Sequence, residues 1–215
     1  MLAEYPTTYT DTFGSEETVI INDGKTLRMT VRGVEYVSTE LGGFNTFERV
    51  KAVEKGATSL VEREFLSAAT LTAVMSIPVS GPESTVPATL TAVIDLEGIK
   101  DMGDWPYDDV RLILDYDGHK YSSTGGDGSF EEEMWQIQRS LPNDTFLKCC
   151  FNCTFAGYNI YGNGLWGMYC HRNHKDEYLH VRAKCDIDRL TQTAAGMVQE
   201  IDLCLEFQHG ITGYR

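Results

Sequence analysis

Two Thr- and Val-rich runs, "FLSAATLTAVMSIPV" and "VPATLTAVIDLEG", flank the turn-forming residues Ser80, Gly81, Pro82, Glu83 and Ser84. β-branched side chains suit a pleated, half-buried surface, and so short a connection leaves the runs only an antiparallel return. The arrangement recurs along the chain. "ETVIIN" and "KTLRMTV" lie around Asn22-Asp23-Gly24, where Gly24 tolerates positive φ, and "VRLILDYDGHKYSS" bends at Asp117-Gly118. One short helix is expected in "FNTFERVKAVEKG", ending at Gly56. Many strands and few helices predict an α+β protein with an antiparallel β-rich body, either sandwich-like or a curved sheet.

That body spans residues 1–128. A second region, 129–215, opens with the clearest helix signal in the chain. Ser129 is followed three residues later by Glu132, and Glu131 to Glu133 place negative charge in a first turn. Met134, Ile137 and Leu141 recur at helical spacing, and Pro142-Asn143 ends the pattern. The acidic triplet therefore reads as a helix N-terminus rather than a catalytic carboxylate set. Beyond it come a strand in "FLKCCFNC", a Gly- and Tyr-rich loop and a short helix in "KDEYLHV". A helix capped by Asp186, with Cys185 and Leu190 as a hydrophobic staple, and a last strand, "MVQEIDLCLEF", complete the region.

Charge divides the chain in the same way. Residues 1–145 hold 25 Asp and Glu against 11 Lys and Arg, whereas residues 146–215 hold 7 of each, together with all 6 cysteines and 4 of the 5 histidines. A formal net charge of −14 argues against nucleic-acid and anionic-membrane partners, both of which need clustered Lys and Arg. It suits a protein partner, a basic one in particular, and an immunity or antitoxin-type role fits that charge. The run Asp101, Asp104, Asp108, Asp109, Asp115 and Asp117 matches no EF-hand spacing and reads as a solvated surface, with Asp108 and Asp109 candidates for contact with that partner. "MLAEYPTTYTD" has no apolar core of a secretory signal, and Leu66 to Val79 is too short and too interrupted to span a bilayer. A cytoplasmic location is expected, where thiols stay reduced and cysteines more often serve metals than disulfides.

Strand alternation in "FLKCCFNC" places Leu147, Cys149 and Phe151 on one face and Lys148, Cys150 and Asn152 on the other. Cys149 is then a core filler, and Cys150 is not. In the last strand Ile201, Leu203, Leu205 and Phe207 form the apolar face, while Glu200, Asp202, Cys204 and Glu206 form the polar one. Cys204 is more economically a ligand than a filler. Cys150 and Cys153 form the C-x2-C step of a zinc knuckle, and Cys170 follows across a loop able to fold back. Structural zinc is tetrahedral, so a fourth ligand is required: Cys204, which gives four thiolates, or His174, which gives C-x2-C-x16-C-x3-H. The expected cofactor is therefore one structural zinc. A redox C-x-x-C is disfavoured because no helix pattern follows it.

"GYNIYGNGLWG" lacks the Gly-Lys-Ser/Thr ending of a phosphate loop, "CHRNH" is not H-E-x-x-H, and no G-x-S-x-G occurs. Tyr158, Tyr161, Trp166 and Tyr169 either line a binding surface or pack over the metal knuckle.

The motifs "CCFNC", "YGNGLWG", "CHRN", "EYL", "VQE", Cys204 with Glu206 and the terminal "TGYR" resemble a family of bacterial proteins of unknown function, over residues 129–215. The resemblance implies that members share Cys150, Cys153, Cys170 and Cys204, and it brings no activity with it. The sequence thus points to a non-enzymatic protein-binding module with a structural zinc. The alternative is a zinc-dependent hydrolase with an open metal position near His171 or His174.

Overall fold

The computed structural model describes residues 3–41, 43–47, 66, 68–96, 108–126, 130–158, 168–182, 184–191, 194 and 196–210. Residues 48–56 of the expected helix, the Ser129 cap, Asp101, Asp104, Tyr161, Trp166 and the terminal "TGYR" lie outside them, as does the side chain of Asp108. Residues 44–47, where that helix was expected to begin, are not helical, and Asn45 pairs with Val37 instead.

Eight strands follow in sequence: β1 (Ala3–Asp11), β2 (Gly14–Asn22), β3 (Leu27–Val31), β4 (Val34–Ser38), β5 (Ala69–Ser80), β6 (Thr85–Leu96), β7 (Asp108–Tyr116) and β8 (His119–Ser122). They form one sheet in the order β4-β3-β2-β1-β5-β6-β7-β8, and every ladder is antiparallel. The body is a single sheet built from two meanders joined where β1 pairs with β5. Turn chemistry sets the hairpins. Asp117-Gly118 closes β7–β8 with φ of 50° and 73°, and Arg32-Gly33 closes β3–β4 with φ of 50° and 74°. Both are two-residue loops of the left-handed kind whose twist matches the strands. The β2–β3 turn is longer: Asp23 Oδ1 accepts the N–H groups of Lys25 and Thr26 at 2.9 and 2.8 Å.

One face of the sheet is buried and the other faces solvent, the arrangement antiparallel sheets permit. Inward positions alternate as Leu27-Met29-Val31, Leu71-Ala73-Met75-Ile77-Val79, Ala88-Leu90-Ala92-Ile94-Leu96 and Val110-Leu112-Leu114. Helix α1 (Phe130–Ser140) lies against β7 and β8 and adds Phe130, Met134 and Ile137 to that core. Its first turn carries Glu131, Glu132 and Glu133, as expected of a helix N-terminus. Buried Glu133 is satisfied locally, accepting from Gly125 N–H at 3.0 Å and from Gln136 Nε2 at 3.3 Å. No helix among the described residues is long and apolar enough to cross a membrane.

The cysteine-rich segment enters where the sheet splits. β1 pairs with β5 only over Thr7–Asp11, and further along the same edge the two-residue strand β9 (Phe146–Leu147) pairs with Ser80 and Val79. The strand expected over 146–153 stops there. Residues Cys150–Asn152 form a 3-10 turn instead. The cause is side-chain competition for the backbone. Gln138 Oε1, on α1, accepts both Leu147 N–H at 3.0 Å and Asn152 Nδ2 at 2.7 Å, while Asn152 Nδ2 also reaches Leu147 O at 2.9 Å.

Three short strands, β10 (Ala156–Gly157), β11 (Met168–Cys170) and β12 (Gly196–Val198), form a second sheet. Helix α2 (Lys175–Leu179) stands where a short helix was expected. Helix α3 spans Lys184–Thr191, so Asp186 sits inside its first turn rather than at the cap. From there its Oδ2 accepts Arg182 N–H at 3.2 Å, and its charge still favours the helix N-terminus. The last expected strand ends at Val198. Turns at Gln199–Asp202 and Cys204–Phe207 replace the rest, leaving Leu205 fully exposed rather than on an apolar face.

Candidate metal centre

Cys149 and Cys150 part company, though by a turn rather than by the strand pleat. Cys149, the last extended residue, is fully buried in the main core. After the turn, Cys150 and Cys153 join a second apolar cluster with Phe155, Ala156 and Met168. The turn is closed by Cys153 N–H donating to Cys150 O at 3.0 Å. A bend of this kind between the two residues of a C-x2-C step is what lets both side chains face one point.

Two further segments are fastened to it. β11 pairs with β10 so that Cys170 stands opposite Ala156, and His171 N–H donates to Phe155 O at 2.8 Å. The C-terminal stretch runs alongside the turn: Cys150 N–H donates to Asp202 O at 2.7 Å, Phe151 N–H to Glu200 O at 2.9 Å and Thr154 N–H to Gln208 O at 2.8 Å. Cys204 begins the turn between these contacts, with Phe207 N–H donating to its carbonyl at 3.2 Å. Phe146 stacks with Phe207 (6.3 Å) and with His209 (3.7 Å), which adds ring contacts to the same stretch.

The electrostatics report the same neighbourhood. Burial pushes the Cys150 thiol far up, and the nearby Cys149, Asp202, Cys153 and Cys170 add to the shift. Burial also raises Cys170, with Cys204 and Cys153 adding while the N–H and charge of Arg172 oppose. Lys175 lies over the Phe155 ring at 5.2 Å, pairs with Glu206 at 2.8 Å and feels the charges of Cys204 and Cys153. All four cysteines singled out by the sequence thus fall in one region, with cations at its border. Among the described residues, however, no three His, Cys, Asp or Glu side chains are gathered tightly enough to hold a metal ion.

The histidines are placed differently. His174 Nδ1 turns to Glu177 Oε2 at 3.4 Å. His171 is buried, stacks on Tyr178 at 4.5 Å and has no hydrogen-bond partner for Nδ1. Burial, and secondarily the charge of His174, push its pKa down to about 4, so the ring is neutral. Tyr158 packs between the two apolar clusters with its hydroxyl buried. Asp109 accepts Gly126 N–H at 2.7 Å and stands directly opposite Asp95 across the β6–β7 ladder. Sequence reasoning missed Glu200. It placed this residue on a polar outer face, yet Glu200 is 4% exposed and its carboxyl is pushed up to about 7 by burial, with Glu40 and Asp202 adding. No local signal marks it, because its burial depends on the fold-back of the C-terminal stretch.

No curated protein and no solved structure matches this chain. The model of a family of unknown function, DUF6304, matches residues 3–156, which takes in the large sheet, α1 and the Cys150–Cys153 turn and ends before Cys170 and Cys204. With more than half its length matched, the chain belongs to that family of unknown function.

Proposed function

We propose that the protein is a non-enzymatic, cytoplasmic protein-binding module whose C-terminal third is fastened by one structural zinc held by Cys150, Cys153, Cys170 and Cys204. The observation that carries this reading is the hydrogen-bonded convergence of the three segments bearing these thiols around the Cys150–Cys153 turn. The raised pKa values of Cys150 and Cys170 mean that these two thiols are protonated before metal arrives, so zinc would bind with proton release and more tightly as pH rises. Lys175 and Arg172 would offset the double negative charge of a four-thiolate zinc. Elemental analysis of the untagged protein should find about one zinc per chain, as expected for one closed site. Protein that is folded yet holds neither zinc nor iron would end the proposal.

A second reading keeps one zinc position open for water, with His171 beside it. The unpartnered, neutral His171 Nδ1 favours it, since metal-bound histidine must be neutral. Absorption of the cobalt-substituted protein separates the two, because four thiolates and three thiolates with water or imidazole give different charge-transfer intensities.

For the partner, the support is the acidic solvent face. Asp95 and Asp109 are held side by side there, where like charges oppose folding. Such a surface steers a basic protein by long-range attraction that salt screens. A partner captured from the native host at low salt should associate markedly more slowly at physiological ionic strength, where the Debye length is about 8 Å. Reversing the charge of Asp95 and Asp109 should lower its on-rate more than it raises its off-rate. Recovery of only neutral or acidic partners, indifferent to salt, would leave the charge a solubility device.

A further inference from the structure

The turn at Gln199–Asp202 is the fastening between the C-terminal stretch and the rest of the molecule. Asp202 Oδ2 accepts Gln199 N–H at 3.0 Å, and Asp202 N–H donates to Gln199 O at 3.1 Å, so the turn is closed on itself. It is tied outward at four points. Gln199 Nε2 donates to Thr39 O at 2.7 Å, Asn22 Nδ2 approaches Asp202 Oδ1 at 3.4 Å, and the carbonyls of Glu200 and Asp202 take the N–H groups of Phe151 and Cys150. The end of β2, the chain after β4 and the cysteine turn therefore all meet here.

At the centre of this fastening is a carboxyl group, that of Glu200, with no ion-pair partner among the described residues. Glu200 Oε1 is buried and makes no hydrogen bond, and the buried Tyr158 hydroxyl beside it makes none of good geometry either. The ionisable groups that act on Glu200 are Glu40, from the chain after β4, Asp202, from the turn itself, and Tyr158. Cys149 and Glu131 lie one step further out, acting on or through these groups. Among the described residues two carboxylates and no cation act on Glu200 itself, so a proton on it removes both a buried charge and its repulsion with Glu40 and Asp202.

We propose that the Gln199–Asp202 turn is a proton-operated clasp, closed while Glu200 is protonated and released from the Cys150 and Phe151 amides when the proton leaves. The sign follows from linkage. The closed-state pKa, about 7, lies above the ordinary value of 4.5 that applies once the turn is open and wet. Closure is then at full strength below about pH 4.5, weakens through the interval up to about 7, and is level above it.

Hydrogen exchange of the Cys150 and Phe151 amides in the full chain, corrected for intrinsic rates, tests the clasp. Protection should fall about tenfold per pH unit between pH 5 and 7 and level off above pH 7.5. In Glu200→Gln it should stay flat and exceed that of the native chain at pH 8. Native protection that is flat across the same interval, or a variant that keeps the native pH profile, overturns the proposal. Should Glu200→Gln fail to fold, the Glu200 carboxyl carbon can be titrated by NMR in the native chain. A midpoint between pH 6 and 8 supports the clasp, and one below 5.5 overturns it.

Discussion

Replacing Phe151 by alanine is expected to cost about 3–5 kcal/mol, as truncation of a buried aromatic does, and to lower Tm by about 10 °C for a chain of this size. The ring is 1% exposed and meets Trp135 edge-on at 4.8 Å and 61°, so it presses the cysteine turn onto α1. It also belongs to the main core, while its neighbours Cys150 and Cys153 belong to the second cluster. Truncation therefore empties a space at the junction of the two, where few side chains are able to move in. The backbone N–H of Phe151, bonded to Glu200, is retained in the variant, which isolates the packing contribution. Phe151→Leu should recover most of the loss, leaving about 1 kcal/mol, because volume-conserving apolar swaps are tolerated best. Urea unfolding followed by far-ultraviolet circular dichroism measures both. If the alanine variant lost less than about 1 kcal/mol, in the range of ordinary surface changes, the cysteine turn would be an appendage to the sheet rather than part of its core.

How much of this architecture the sequence revealed depends on where each segment finds its backbone partners. The hairpins at 81–84 and Asp117-Gly118 were legible because their turn residues and flanking alternation are local and agree with each other. The hairpin at Arg32-Gly33 was not singled out, since an arginine at a φ of 50° carries no turn signature of its own. Two carboxylates hold it in place instead: Arg32 Nη2 pairs with Asp11 at 2.5 Å, and its backbone N–H donates to Glu16 at 3.0 Å.

In the C-terminal third the failures share one cause. "MVQEIDLCLEF" alternates as a strand does, but its backbone groups are taken by the Cys150–Thr154 segment and by two internal turns. The alternation then has no sheet to face. Leu205 ends in solvent and Glu200 inside, each the reverse of what residue type alone suggests. Likewise, a Gln138 side chain on α1 ends the strand at Leu147, a contact across the fold that no window around Cys149 contains. Of the candidate site, the bend between Cys150 and Cys153 was legible because the C-x2-C spacing needs only a local turn, whereas the positions of Cys170 and Cys204 follow from backbone contacts across the fold that no local window contains.

The cysteine turn also yields the sharpest contrast between two adjacent residues. On the zinc reading, Cys150→Ser removes a ligand from a closed four-thiolate site and the metal should be lost. Structural zinc contributes on the order of 10 kcal/mol in isolated zinc-finger peptides, so loss here should loosen every segment the metal joins. The large sheet has its own core and should survive, with β1–β8 remaining protected from hydrogen exchange. Residues 168–182 and 196–210 should instead become exchange-labile and open to proteolysis, because the short strands there bury little apolar surface of their own. Cys149→Ala differs by one position and should behave quite otherwise. Its thiol is fully buried among Leu147, Phe151 and the rest of the main core, and burial holds it protonated with a pKa pushed up to about 12. Losing one sulfur from that packing should cost about 1 kcal/mol, and the zinc should remain. Metal content, measured together with exchange protection, reads both effects at once. If Cys149→Ala shed the metal while Cys150→Ser kept it, the ligand would lie on the other side of the turn, and the second apolar cluster around Cys150 and Cys153 would be no more than packing.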